Sequence, residues 1–185
     1  SPFEQRVAEI GASVAAGAHE IDVVITRAHV LTGDWQALYD EVKAFRGASG
    51  AAHLKAILAT GELATLTNVA RASVVAMMAG ADFIKTSTGK EGVNATLPVS
   101  LAMVRQIREY GQRTGFKVGY KPAGGIRTAR QATDYLLLMK EELGTSWLVP
   151  ELFRFGASAL VADIERQLEH FVTGRYSAAH RHPMV

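Results

Sequence analysis

The stretch 81-ADFIKTSTGK-90 decides how this chain is read. An apolar run ends on a lysine, passes through three hydroxyl-bearing residues and a glycine, and reaches a second lysine. Side chains alternate across a strand, so Lys85 shares one face with Phe83 and Ser87, while Ile84 and Thr86 take the other. The face that packs on helices must be apolar. Ile84 therefore points outward and Lys85 inward, where a lone charge is costly unless something answers it.

The same texture recurs along the chain. Short apolar stretches with β-branched content stand at 20-EIDVVI-25, 52-AHLKAIL-58, 82-DFIKTS-87, 117-KVGYKP-122 and 152-LFRFGA-157. Between them, apolar residues fall at helical spacing: Phe3, Val7, Ile10 and Val14; Trp35, Leu38, Val42 and Phe45; Leu101, Val104 and Ile107; Ala132, Tyr135, Leu136 and Met139; Leu160, Ile164, Leu168 and Phe171. Leu66, Val69, Val74 and Met77 form a weaker set. Thr96 and Thr128 are natural helix starts. Five strands alternating with about six helices predict βα units and a parallel sheet.

Each of the first four strands carries a charge at similar phase: Asp22, Lys55, Lys85 and Lys121, with Gly156 next in the series. The intervals of 30 to 36 residues match one strand–helix unit of a barrel. A faint repeat supports the phasing. AGAHEID (16–22) and AGADFIK (79–85) place Asp22 and Lys85 at the same position of their units, after a glycine suited to a helix C-terminus. Ile21, Val23 and Tyr120 then face outward, and Asp22 and Lys121 inward.

Converging charges of this kind suit imine chemistry. A free lysine amine is protonated at neutral pH. Burial and a neighbouring cation both disfavour its charged form and free it to attack a carbonyl, while a carboxylate moves protons. Structural ion pairs would use the same residues. Charges on four consecutive strands favour a functional reading.

Glycine and small residues follow the last two strands, in 121-KPAGGIR-127 and 155-FGASA-159. Loops at these places in barrel enzymes hold phosphate through backbone N–H groups. Gly124, Gly125, Gly156 and Ser158 are candidates, joined by Thr88, Gly89 and Lys90. Tight turns are the alternative use of the glycines. A nucleotide P-loop at STGK is excluded, because Ile84 stands where that motif needs glycine.

Bulk properties set the remaining expectations. Hydrophobic residues make up 48% and charged residues 21%, which suffices for one sizeable core. The net charge of +2 comes without a basic stripe, so no nucleic-acid partner is expected. No apolar run reaches the roughly 20 residues a membrane helix needs, and SPFEQRVAEI does not read as a signal peptide. A cytoplasmic protein without a membrane partner is the expectation. Cysteine is absent, and the histidines are scattered, with His180 and His182 in a polar tail. No metal and no cofactor are expected.

Taken together and in order, EIDVV, LKAILATGEL, ADFIKTSTGK, NAT, VGYKPAGGIR and FRFGAS resemble the deoxyribose-phosphate aldolase family over nearly the whole chain. The resemblance implies an α/β fold, a TIM (β/α)8 barrel. These 185 residues would form a single domain carrying its last five βα units, strands four to eight, within a longer polypeptide or completed by another chain. It also implies a class I, metal-free reaction: reversible cleavage of 2-deoxyribose 5-phosphate to acetaldehyde and glyceraldehyde 3-phosphate through a lysine imine. By matching motif, Lys85 would form the imine, Lys121 would perturb it, and Asp22 would transfer protons. Lys55 would line the pocket. The PAGG and GAS loops, with Lys90, would hold the phosphate. The chain departs from the family pattern at Ala159, where many members carry a second hydroxyl. A small-molecule sugar phosphate is the expected partner, with homo-oligomerisation left open. The alternatives are another imine-forming sugar-phosphate lyase of transaldolase type, or a non-catalytic fragment that binds sugar phosphate.

Overall fold

The computed structural model describes residues 2–178; His180 and His182 lie outside them. Elements alternate from the start: α1 (Phe3–Ala15), β1 (Glu20–Val24), α2 (Arg27–Thr32), α3 (Trp35–Ser49), β2 (His53–Ile57), α4 (Leu66–Met78), β3 (Phe83–Lys85), α5 (Leu97–Thr114), β4 (Gly119–Lys121), α6 (Ala129–Leu143) and α7 (Leu160–Thr173). The four strands form one parallel sheet in sequence order. Helices cover its outer face, and the whole is an open arc of a TIM-type (β/α) barrel.

Register fixes which charges meet. Asp22 pairs with Lys55, Lys55 with Phe83, and Phe83 with Gly119. One layer higher, Val24, Ile57, Lys85 and Lys121 align in the same way. Of the residues expected to face outward, Ile21, Ile84 and Tyr120 are buried and Val23 is half-buried; with Leu54 and Ala56 they join a core with Leu38, Val42, Phe45, Met103, Val104 and Ile107. Fully burying such an aliphatic side chain stabilises the fold by roughly 1.5–3 kcal/mol. The Tyr120 hydroxyl, carried outward, donates to Ser100 Oγ at 2.5 Å. Burial pushes its pKa well up, so it stays neutral.

The internal repeat is a structural one. Gly17 and Gly80 both adopt left-handed backbone, at φ +96° and +100°. Ala18 N–H bonds Ser13 C=O, and Ala81 N–H bonds Ala76 C=O, at 3.0 and 3.1 Å. Both are the six-to-one closure of a Schellman helix end, which launches each strand in the same phase.

Two features differ from the sequence expectation. The fifth strand is not a continuous ladder. Residues 152–157 make two bridges in one register, Tyr120 of β4 to Phe153 and Ala123, just beyond β4, to Gly156. Between them stands Pro122, which accepts from Gly156 N–H at 2.8 Å but has no N–H to return, so the ladder is interrupted there. The second is α2, six residues too short to show a helical period, closed by Gly33 at φ +73°.

Helix starts are set by side chains. Thr96 Oγ1 accepts from Val99 N–H, and Thr128 forms a reciprocal capping box with Gln131. Asp34 and Thr65 cap α3 and α4. The start of α7, at Ala159, has no such side-chain bond. Among the described residues, no helix is long and apolar enough to cross a membrane.

Candidate active site

On the inner face of the sheet, three lysines from three strands converge on one carboxylate from a fourth. Lys85 Nζ lies 2.9 Å from Asp22 Oδ2, and Lys121 Nζ lies 3.4 Å from the same oxygen. Lys55 Nζ lies 3.1 Å from Asp22 Oδ1. The strand residues expected from the sequence are therefore brought together, and period-two alternation is the reason. Lys55 is 2% exposed and the Lys85 side chain 11%, so both amines are largely withdrawn from water.

Electrostatics follow from that crowding. Burial pushes the Asp22 carboxyl up, but the hydrogen bond from Lys85 and the charges of Lys85, Lys121 and Lys55 outweigh it and bring it to about 2. It is an anion at neutral pH, a permanent acceptor. For Lys121, burial lowers the pKa, Asp22 opposes this, and the Lys85 and Lys55 charges add to the lowering. The proton on Lys121 is therefore held more loosely than on a free lysine.

Lys55 has a second partner that sequence reasoning missed. Its Nζ donates to Glu20 Oε2 at 2.5 Å, and Arg154 Nη1 donates to both oxygens of Glu20 at 2.6 Å. Arg154, then Lys55, hold the Glu20 carboxyl down to about 2. Glu20 lies two residues before Asp22, and Arg154 is the charge of the interrupted fifth strand, so the same alternation could have found both. Glu20, itself held by Arg154, occupies Lys55 from below, and Lys85 and Lys121 share the other Asp22 oxygen.

Phe83 forms part of the floor. It is buried beneath Lys85, with Lys55 Nζ and the Arg154 guanidinium 5.8 and 5.2 Å from its ring centre. Gly119 makes the room: a Cβ there would lie 2.4 Å from the ring.

Thr86, also missed, ties the two lysine strands together. Its Oγ1 donates to Ala123 C=O at 3.2 Å and accepts from Ala123 N–H at 2.9 Å. Ser87 Oγ donates to the same carbonyl at 2.6 Å. The residue after Lys85 thus grips the residue two beyond Lys121.

Above the lysines, the glycine loops stack. Gly89 packs against Gly124, and a Cβ on Gly124 would lie 2.6 Å from the Asn94 side chain. Gly124 N–H donates to Gly156 C=O at 3.0 Å, and Gly156 N–H to Pro122 C=O. These two amides are committed within the loops, so Gly124 and Gly156 serve close backbone approach rather than ligand donation. Gly125, at φ +85°, and Ser158, just before α7, are exposed beside them. Thr88 and Lys90 are exposed on the neighbouring loop. The outer edge of β1 opens onto a groove of about 830 Å³ lined by Arg6, Ile10, Ile21, Asp22 and Val23.

Comparison with known proteins shows the family. The model of the family described as DeoC/LacD family aldolase matches residues 1–164. The chain is 65% identical over 182 residues to the mouse protein named deoxyribose-phosphate aldolase and 64% identical to the human one, covering 98% of this chain and 57% of each relative. It therefore spans a little over half the length of these relatives. Among solved structures, an apo-form Toxoplasma gondii ME49 protein assigned as a deoxyribose-phosphate aldolase superposes with a TM-score of 0.81 at 27% identity, over 89% of this chain and 66% of that one. The tetrameric deoxyribose phosphate aldolase of Aeropyrum pernix gives 0.68 at 25%, over 95% and 64%.

Proposed function

Since the chain belongs to the DeoC/LacD aldolase family, we propose that its lysine cluster is the imine-forming centre of a deoxyribose-phosphate aldolase. The observation that carries this is the single oxygen, Asp22 Oδ2, shared by Lys85 at 2.9 Å and Lys121 at 3.4 Å. Lys85 is the bond-former. Its amine adds to the C1 aldehyde of open-chain 2-deoxyribose 5-phosphate, and water leaves to give the imine. Removal of the proton on the C3 hydroxyl lets the C2–C3 bond break. Its electron pair moves into the imine as an enamine, and glyceraldehyde 3-phosphate departs. Protonation of the enamine at C2 and hydrolysis release acetaldehyde and return the amine.

Asp22 and Lys121 move the protons in this scheme. Asp22, ionised and bonded to both amines, accepts and returns them directly or through water. Lys121 supplies a proton it holds loosely, and its charge discourages a second charge on its neighbour. The phosphate end reaches the glycine loops, where the exposed Gly125 and Ser158 and the uncapped start of α7 are available, with the Thr88–Lys90 turn beside them. Lys55 acts from below by fixing Asp22.

The open edge of β1 fits a further proposal. In the working enzyme, barrel strands beyond these 185 residues lie against it, and this chain is the single C-terminal unit of a longer polypeptide. Self-association and a cytoplasmic setting belong to the same reading.

Borohydride reduction in the presence of acetaldehyde tests the centre. We expect one added ethyl group on intact mass, mapped by peptide digestion to Lys85. Lys85→Leu should abolish it. An adduct that persists unchanged in that variant would overturn the assignment.

A further inference from the structure

The turn Thr88–Lys90, three residues beyond Lys85, forms a cradle that already holds an anion. Glu91 folds back over them. Thr88 N–H donates to both of its carboxylate oxygens at 2.9 and 3.0 Å, and Thr88 Oγ1 donates at 2.8 Å. Gly89 N–H and Lys90 N–H each reach Oε2 at 3.1 Å. Three successive amides thus point at one carboxylate oxygen. This is the concave arrangement that binds phosphate and other anions. It exists because Gly89 sits at φ +94°, where a side chain would be strained. Burial pushes the Glu91 carboxyl up, but the bonds from Thr88 and Gly89 win and hold it below the usual range, so the plug is charged.

We propose that Glu91 is an internal counter-anion which the phosphate of the substrate must displace to take the Thr88, Gly89 and Lys90 amides. The proposal rests on the sugar-phosphate reading above and adds a competitor to it. The three N–H groups cannot serve two anions, and two negative charges at one point repel. The exchange needs only a side-chain rotation. The Glu91 backbone is held, with Asn94 Nδ2 donating to its carbonyl at 2.7 Å. The cradle is therefore preformed before substrate arrives, which limits the ordering cost of binding. Apparent phosphate affinity is lowered by the fraction of molecules whose cradle is filled. Glu91 thereby tunes how much the site depends on a phosphate rather than on the aldehyde end of its substrate.

The test uses inorganic phosphate with the full chain, in wild type, Glu91→Gln and Glu91→Ala. Calorimetry gives the Kd, and amide chemical shifts of Thr88, Gly89 and Lys90 report the cradle. We expect phosphate to move those three amides and to bind about tenfold more tightly to Glu91→Ala, a change of roughly 1.4 kcal/mol. Glu91→Gln should fall between, since its amide oxygen still competes without charge. Phosphate that leaves the three amides unmoved, or binds the variants no more tightly, would overturn the proposal. Acetaldehyde trapping at Lys85 separates this from the parent reading. If trapping succeeds and phosphate ignores Glu91, only the competitor falls. If phosphate displaces Glu91 and trapping fails, the aldolase reading falls and the anion site stands.

Discussion

The candidate site has two halves built on different principles. The amine half, Asp22, Lys55, Lys85 and Lys121, stands on strands whose register fixes every contact. The anion half, residues 88–91, 123–125 and 156–158, stands on loops whose shape depends on glycine backbone and on hydrogen bonds between turns. The first half is crowded with charge, and two of its amines, Lys55 and Lys85, are withdrawn from water. The second is exposed at Thr88–Lys90, Gly125 and Ser158 and, at Glu91, satisfied by its own chain. In the proposed reading, bond-making belongs to the strands and recognition to the loops.

If that division is real, variants in the two halves will fail in different ways. Asp22→Asn should have the largest effect. It leaves three lysines around a neutral amide, so we expect acetaldehyde trapping and turnover to fall by about 10²–10⁴-fold and stability by about 1–3 kcal/mol. The acid limb gives a second reading of the same half. Asp22 and Glu20 fold with their carboxyls at about 2, below their ordinary 3.8 and 4.5. A depressed carboxyl contributes stability that is complete above its unfolded value and is lost as pH falls through its folded one. Urea midpoints should therefore decline between about pH 5 and about pH 2. Asp22→Asn should flatten that decline, and an unaltered slope would show that the carboxylate is not paired in solution.

Gly119→Ala should come next. Its Cβ would press into the Phe83 ring, at a cost of about 1–3 kcal/mol, read as a melting point lower by about 2–4 °C per kcal/mol. Trapping should weaken with it, because the ring lies under Lys85. Gly124→Ala should be the mildest for chemistry. Left-handed backbone and the Asn94 contact make it strained by about 1–3 kcal/mol, yet phosphate affinity should suffer while acetaldehyde still labels Lys85. A Gly124 variant that lost trapping as fully as Asp22→Asn would erase the distinction between the halves.

The same division explains what could be read from sequence. Period-two alternation placed Asp22, Lys55, Lys85 and Lys121 on one face, and the AGA repeat fixed the phase of two of them. Glu20 and Arg154 obey the same rule and were recoverable from it. Glu91 was not, because its role depends on Gly89 adopting left-handed backbone and on a side chain turning back three residues. Nor could the sequence reveal that Gly124 and Gly156 spend their amides on neighbouring loops. The fifth strand was legible as a segment, but its interruption depends on where Pro122 falls in the pairing register. The short α2 left too few residues for any period.

The Thr86–Ala123 clasp has a consequence for motion. Two reciprocal hydrogen bonds, reinforced by Ser87, join the strand ends that carry Lys85 and Lys121. Displacement of one end is expected to carry the other with it, so the spacing of the two strand ends should vary less than their position. For a reaction whose protons pass between neighbouring groups, that spacing is the quantity that must stay constant while substrate enters and leaves.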